Sequence, residues 1–85
     1  MSNASGMRPI AAEWVIQYTQ QFDYDADGNV IYIGRADIGT ATTAALWQIR
    51  KMTYSAAGDL LTIQFAKGDD GYTNIWDNRA SLAYS

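Results

Sequence analysis

The chain has 85 residues, a formal net charge of −3, and neither cysteine nor histidine. That length allows one domain with a thin core. The two missing residue types exclude disulfides, thiolate metal sites and the side chain best suited to proton transfer near neutral pH.

The six basic residues Arg8, Arg35, Arg50, Lys51, Lys67 and Arg79 are spread along the chain without forming a stripe, so nucleic acid is not an expected partner. No apolar run approaches the roughly 20 residues of a membrane span, and no cleavable signal is visible, so no membrane partner is expected. Small domains usually gain support from disulfides, metals or association. Association is the support left open here.

Positions 1–9 read as a flexible tip or a tag remnant, and positions 10–85 as a single β domain. Over positions 10–24 the even residues are Ile10, Ala12, Trp14, Ile16, Tyr18, Gln20, Phe22 and Tyr24, and the odd ones are mainly polar. This alternation predicts a strand with its even face buried. The four-residue spacing of Ile10, Trp14, Tyr18 and Phe22 also fits a helix. The β-branched and aromatic content favours the strand.

Asp27-Gly28-Asn29 supplies a turn, and positions 30–36 a second strand. The unbroken run Val30, Ile31, Tyr32, Ile33 predicts that both of its faces are covered. Positions 39–45 read as a connection without a core face. A third strand is expected over 47–54, a turn over 55–59 and a fourth strand over 60–66, with Leu61, Ile63 and Phe65 on one face. After a turn at 67–71, the tail predicts a short turn or helical turn capped by Asn74. It then alternates Ala80, Leu82 and Tyr84, a candidate last strand.

Two hairpins align at an offset of 30 residues: Tyr24 with Tyr54, Gly28 with Gly58, Ile31 with Leu61, Ile33 with Ile63 and Ala36 with Ala66. Ordinary hairpin physics and an internal duplication both account for this. The expected fold is all-β: a small antiparallel meander of four to five strands forming a compact barrel or curled sheet, with a short helical turn near the C-terminus.

Asp23, Asp25 and Asp27 followed by Gly28 match the first half of a calcium-binding loop, which makes them a weak metal candidate. Position twelve of that loop, which should be a bidentate Glu, is Gly34. The matching turn Ser55-Ala56-Ala57-Gly58 lacks the carboxylates, so the shared requirement is turn geometry. No cofactor is expected. Serine and threonine have no histidine to activate them, Lys67 and the Asp69–Asp70 pair lie in a Gly-flanked turn, and no enzymatic activity is expected.

Three tryptophans and six tyrosines are an excess for this length. They fit either a thin β core or an aromatic-anchored interface. Trp14 and Trp47 read as core, and Trp76 as core or interface. In Ile75-Trp76-Asp77-Asn78-Arg79, Asp77 can pair with Arg79, or cap the turn while Arg79 stacks on an indole.

The strings Tyr32-Ile33-Gly34, Trp47-Gln48-Ile49-Arg50-Lys51, Ala66-Lys67-Gly68-Asp69 and, most specifically, Trp76-Asp77-Asn78-Arg79-Ala80-Ser81-Leu82-Ala83-Tyr84-Ser85 resemble a family of short tailed-phage proteins grouped with virion structural proteins. The resemblance covers roughly positions 14–85 and brings no catalytic residues. It implies a non-enzymatic capsid-, neck- or tail-associated component, located in the virion and in the host cytoplasm during assembly. Such a protein would act by homo-oligomerising and docking to other virion proteins. Trp76, Asp77, Arg79 and Tyr84 are the expected interface residues. The competing expectation is a small ligand-binding β module, for carbohydrate or protein, using exposed aromatics.

Overall fold

A computed structural model describes residues 18–85. The readings made for the N-terminal tip, for Trp14 as core and for the strand pattern before Tyr18 lie outside the described residues.

Four antiparallel strands follow one another in space as in sequence: β1 (Tyr18–Tyr24), β2 (Val30–Asp37), β3 (Ala45–Tyr54) and β4 (Leu60–Phe65). A two-residue strand, β5 (Asn74–Ile75), pairs with the start of β3, and a 3-10 helix (Trp76–Ser81) follows it. The expected all-β meander with a short C-terminal helical turn is therefore the observed fold. β1 and β4 do not pair, so the sheet is open rather than a barrel.

Both hairpins are closed by the same turn. In the first, the Asp25 and Gly28 amides donate to the carbonyls of Asn29 and Asp25 (2.9 and 3.1 Å). In the second, Ser55 and Gly58 donate to Asp59 and Ser55 (2.8 and 3.0 Å). Gly28 and Gly58 take φ of +86° and +92°, a region that L side chains rarely adopt. The Asp25 carboxylate accepts from the Asn29 amide at 2.9 Å, and the Ser55 hydroxyl accepts from the Asp59 amide at 3.1 Å. Each pair also shifts register just after the turn, skipping Ile31 in one and Leu61 in the other. The 30-residue match thus extends to a bulge at equivalent positions.

Cross-strand partners share a face, so the register divides the sheet in two. One face carries Tyr32, Gly34 and Ala36 of β2 with Trp47 and Ile49 of β3, and Ala66 extends it beyond β4. Here Trp47, Ile49, Ala36 and Ala66 are fully buried beneath Trp76, with Leu82 and Tyr84 packed alongside. Thr53 and Thr62, a cross-strand pair on this side, join through their hydroxyls.

The other face carries Gln20 and Phe22 of β1, Ile33 and Arg35 of β2, Gln48, Arg50 and Met52 of β3, and Ile63 and Phe65 of β4. Two expectations change here. In β1 the even residues Gln20, Phe22 and Tyr24 are exposed, while the odd residues Thr19, Gln21 and Asp23 turn toward the core side and are partly buried. In β2 only the even residues Tyr32, Gly34 and Ala36 are buried, and the odd ones are half-covered. Among the described residues, Trp76 and the tail cover the first face, while on the second Met52 is buried and Tyr72 stacks on Tyr18 at one end.

Candidate functional site

Of the four tail residues expected to form an interface, Trp76, Arg79 and Tyr84 pack against the rest of the fold and Asp77 is exposed. The Trp76 indole lies over Gly34 and meets the Trp47 ring at 6.1 Å and 41°. Of the two placements open to Trp76, it takes the core, at 4% exposure. The Arg79 guanidinium sits 4.5 Å from the Trp76 ring centroid, its Nη1 donates to the Trp76 carbonyl (3.2 Å), and its Nε donates to Asp23 Oδ2 (3.0 Å). The expected stacking of Arg79 on an indole is therefore present. Its ion partner is Asp23, 56 residues away, rather than Asp77.

The Tyr84 hydroxyl donates to the Arg79 carbonyl (2.8 Å), and its ring packs 5.7 Å from Tyr32. Burial pushes this phenol up to about 12. Tyr84 also bridges to Ala66, and Ser85 exchanges two backbone hydrogen bonds with Phe65. Ala80 lies in the 3-10 helix, so the alternating Ala80–Leu82–Tyr84 strand shrinks to this single bridge. Together Trp76, Arg79 and Tyr84 form an internal clamp. Asp77 alone of the four is exposed, and its amide donates to the Thr42 carbonyl (3.2 Å).

Asn74 does not cap the helix. Ile75 holds that position without a side-chain bond, and Asn74 is buried, donating to the Trp47 carbonyl at 3.1 Å. The 39–45 connection also has a core task, because the Ala41 carbonyl accepts the Trp47 indole N–H (2.9 Å).

The acidic turn does not assemble a metal cage. Asp25 Oδ1 accepts from the Asp27 and Asn29 amides, both at 2.9 Å. Those bonds, with the Asn29 amide foremost, hold its carboxyl below the usual range. Asp23 is taken by Arg79, and Asp27 is exposed. Among the described residues, no three acidic side chains converge.

What the sequence did not single out is the open face. Phe22, Ile33, Arg50 and Phe65 form one row across all four strands, with Met52 and Ile63 paired beside it. Phe22 is 47% and Ile63 52% exposed, and at the turn end of β4 Leu60 and Leu61 are also exposed. Arg50 lies 5.9 Å from the Phe65 ring centroid, and Arg35 lies 4.1 Å from that of Tyr18. The Arg35 guanidinium draws the Tyr18 hydroxyl below its ordinary range. The one hint in the sequence was the placement of Arg35 and Arg50 inside otherwise apolar strands.

At one end of this face, the Tyr18 and Tyr72 rings lie 6.0 Å apart and 13° from parallel. With Asp37, Thr40 and Leu46 they line a cavity of about 340 Å³. Comparison of the chain with family models, curated proteins and solved structures finds no match.

Proposed function

We propose that this chain is a non-catalytic virion structural protein that oligomerises and docks to other virion proteins. The observation that carries the docking part is the open sheet face, where Phe22, Ile63 and their half-buried neighbours Ile33 and Phe65 have no covering layer among the described residues. An apolar, aromatic face of this kind marks an interaction site more often than a solvated surface does. The outer edge of β4 supports self-association. Positions 60–64, ahead of the Phe65 backbone that Ser85 already pairs, hold no charged residue and no proline, the features that normally protect an edge strand from pairing. The virion assignment draws on the resemblance of the tail sequence to tailed-phage proteins.

The absence of histidine and cysteine, and the commitment of Asp23, Asp25, Arg79 and Tyr84 to internal bonds, support the non-catalytic part. Mass spectrometry of purified virions, paired with the sedimentation mass of the isolated protein, tests the proposal. Stoichiometric presence in particles supports it, and a monomer absent from particles overturns it.

A second reading has its own observation. The Tyr18–Tyr72 cavity, lined also by the Asp37 carboxylate and the Thr40 hydroxyl, has the mix of aromatic surface and hydrogen-bonding groups that a sugar ring uses. Titration of a glycan panel against Tyr18 and Tyr72 resonances separates the two readings.

A further inference from the structure

We infer that Tyr18 and Tyr72 form a covalent cross-linking site, where a peroxide-driven one-electron oxidant joins the two rings through the carbons beside their hydroxyls. The inference goes beyond the docking role proposed above and stands or falls separately from it.

The argument begins with what the chain can use as a staple. It has no cysteine, so the usual covalent support of a small domain is closed to it. It has six tyrosines, and all of them lie within the described residues. The fold brings four of them together as two pairs: Tyr18 with Tyr72 at 6.0 Å and 13°, and Tyr32 with Tyr84 at 5.7 Å and 46°. Of the other two, Tyr24 is exposed and Tyr54 donates its hydroxyl to the Val30 carbonyl (2.7 Å).

The two pairs differ in where their hydroxyls point. The Tyr18 oxygen accepts from the Arg35 guanidinium and from the Tyr72 hydroxyl. The hydroxyl-bearing ends of these two rings therefore meet, which brings together the ortho carbons flanking them. Those carbons are where phenoxyl radicals couple. Arg35, 4.1 Å from the Tyr18 ring centroid, holds that ring in place. In the second pair the Tyr84 hydroxyl is directed at the Arg79 carbonyl (2.8 Å) instead, and Tyr32 is buried.

Proton loss separates the pairs as well, because a phenol that gives up an electron must also give up its proton. Arg35 draws the Tyr18 hydroxyl below its ordinary range, whereas burial pushes the Tyr84 phenol up to about 12. Geometry and charge thus favour the same pair.

The reaction balances with peroxide as the oxidant. Each phenol loses one electron and one proton. The two radicals form one carbon–carbon bond between their ortho positions, and the displaced ring hydrogens move to the oxygens, restoring both phenols. Peroxide takes the two electrons and two protons and leaves as two waters. The product carries its hydroxyls side by side, as the pair already does. The new bond ties the start of β1 to the loop ahead of β5 and restrains the unfolded chain as a disulfide does.

The test treats the full chain, in dilute solution, with a small haem peptide and hydrogen peroxide. The expected product is a monomer lighter by two hydrogens, with dityrosine fluorescence and a thermal midpoint above that of the untreated chain. Its tryptic map should join fragment 1–35 to fragment 68–79. Tyr18→Phe and Tyr72→Phe each keep a ring for the stack and should lose this product, while Tyr24→Phe should retain it. Unfolding the chain before oxidation should remove the preference for this pair. The inference is overturned by the absence of a coupled monomer, by a map joining 1–35 to 80–85 through Tyr32 and Tyr84, or by a product that survives Tyr18→Phe. An identical map from unfolded chain, or covalent dimers through Tyr24 as the main product, overturns it too. None of these readouts involves virion content, so their failure leaves the structural role standing.

Discussion

Gly34 and Trp76 are in direct apposition: a Cβ built on Gly34 would stand 2.7 Å from Trp76 Cζ3 and 3.1 Å from Trp47 Cε3. Its φ is not in the left-handed region, so the requirement for glycine here is space rather than backbone freedom. Gly34→Ala should push the indole off the sheet and cost about 1–3 kcal/mol, as overpacking does. Trp76→Ala should cost about 3–5 kcal/mol, a large share of the roughly 5–15 kcal/mol a domain has. Denaturant titration measures both, and near-ultraviolet circular dichroism should show the Trp47–Trp76 signal reduced in each variant.

The Asp23–Arg79 pair ties β1 to the clamp across 56 residues, but both side chains are about one-third exposed. Its coupling energy should therefore be small, about 0.2–1 kcal/mol. A double-mutant cycle with Asp23→Asn and Arg79→Gln measures it. Arg79→Gln alone should cost more than Asp23→Asn, because it also removes the stack on Trp76 and the bond to its carbonyl.

Tyr84 gives a pH signature. Its native pKa of about 12 lies above the ordinary value of 10.0, so between these values the folded state binds the proton more tightly than the unfolded state does. The stabilising contribution is full below pH 10 and is lost as pH rises toward 12. A tyrosinate titration at alkaline pH should show one late phase coinciding with loss of structure, and Tyr84→Phe should remove that phase. The same variant should lose about 1 kcal/mol near neutral pH for the missing bond to Arg79.

The turn at Asp25 should respond to sequence and not to calcium. Asp25→Ala leaves the Asp27 and Asn29 amides without their acceptor and should lower the thermal midpoint. Asp25→Ser, which imitates Ser55 in the second hairpin, should recover part of that loss. Millimolar calcium should leave the thermal midpoint of the native chain unchanged, whereas an upward shift would reveal a bound ion. In acid, the depressed Asp25 carboxyl contributes stability above its unfolded pKa, and that contribution disappears as pH falls through the folded value.

Strand positions and turns were legible in the sequence because local chemistry sets them: Gly28 and Gly58 fix two turns, and the β-branched runs on either side fix four strands. The choice of face in β1 was not legible. Alternation identifies two faces, but which one meets the core depends on where the covering layer lands. Here that is decided by Gly34, which leaves room for an indole arriving from position 76. Asp23, polar and thus expected outward, turns toward the core side because Arg79 is there to meet it. The roles of the tail were illegible for the same reason. Trp76, Arg79 and Tyr84 look like contact residues as text, and only their distant partners show the internal contacts that they make. The open face was not legible because Phe22 and Ile63 have the composition of core residues, and nothing local shows that the described residues leave both exposed.

The clamp also sets an order of events. Each hairpin closes between residues a few positions apart, so β1–β2 and β3–β4 can form as soon as their strands exist. The hydrophobic roof comes last, because Trp76 must find Gly34 across 42 intervening bonds of sequence, and Tyr84 must then settle beside Tyr32. During synthesis, a chain that has not yet reached Trp76 therefore holds a sheet whose Gly34–Trp47 surface is without its roof. That interval, rather than the finished fold, is when this protein is most exposed to wrong pairing.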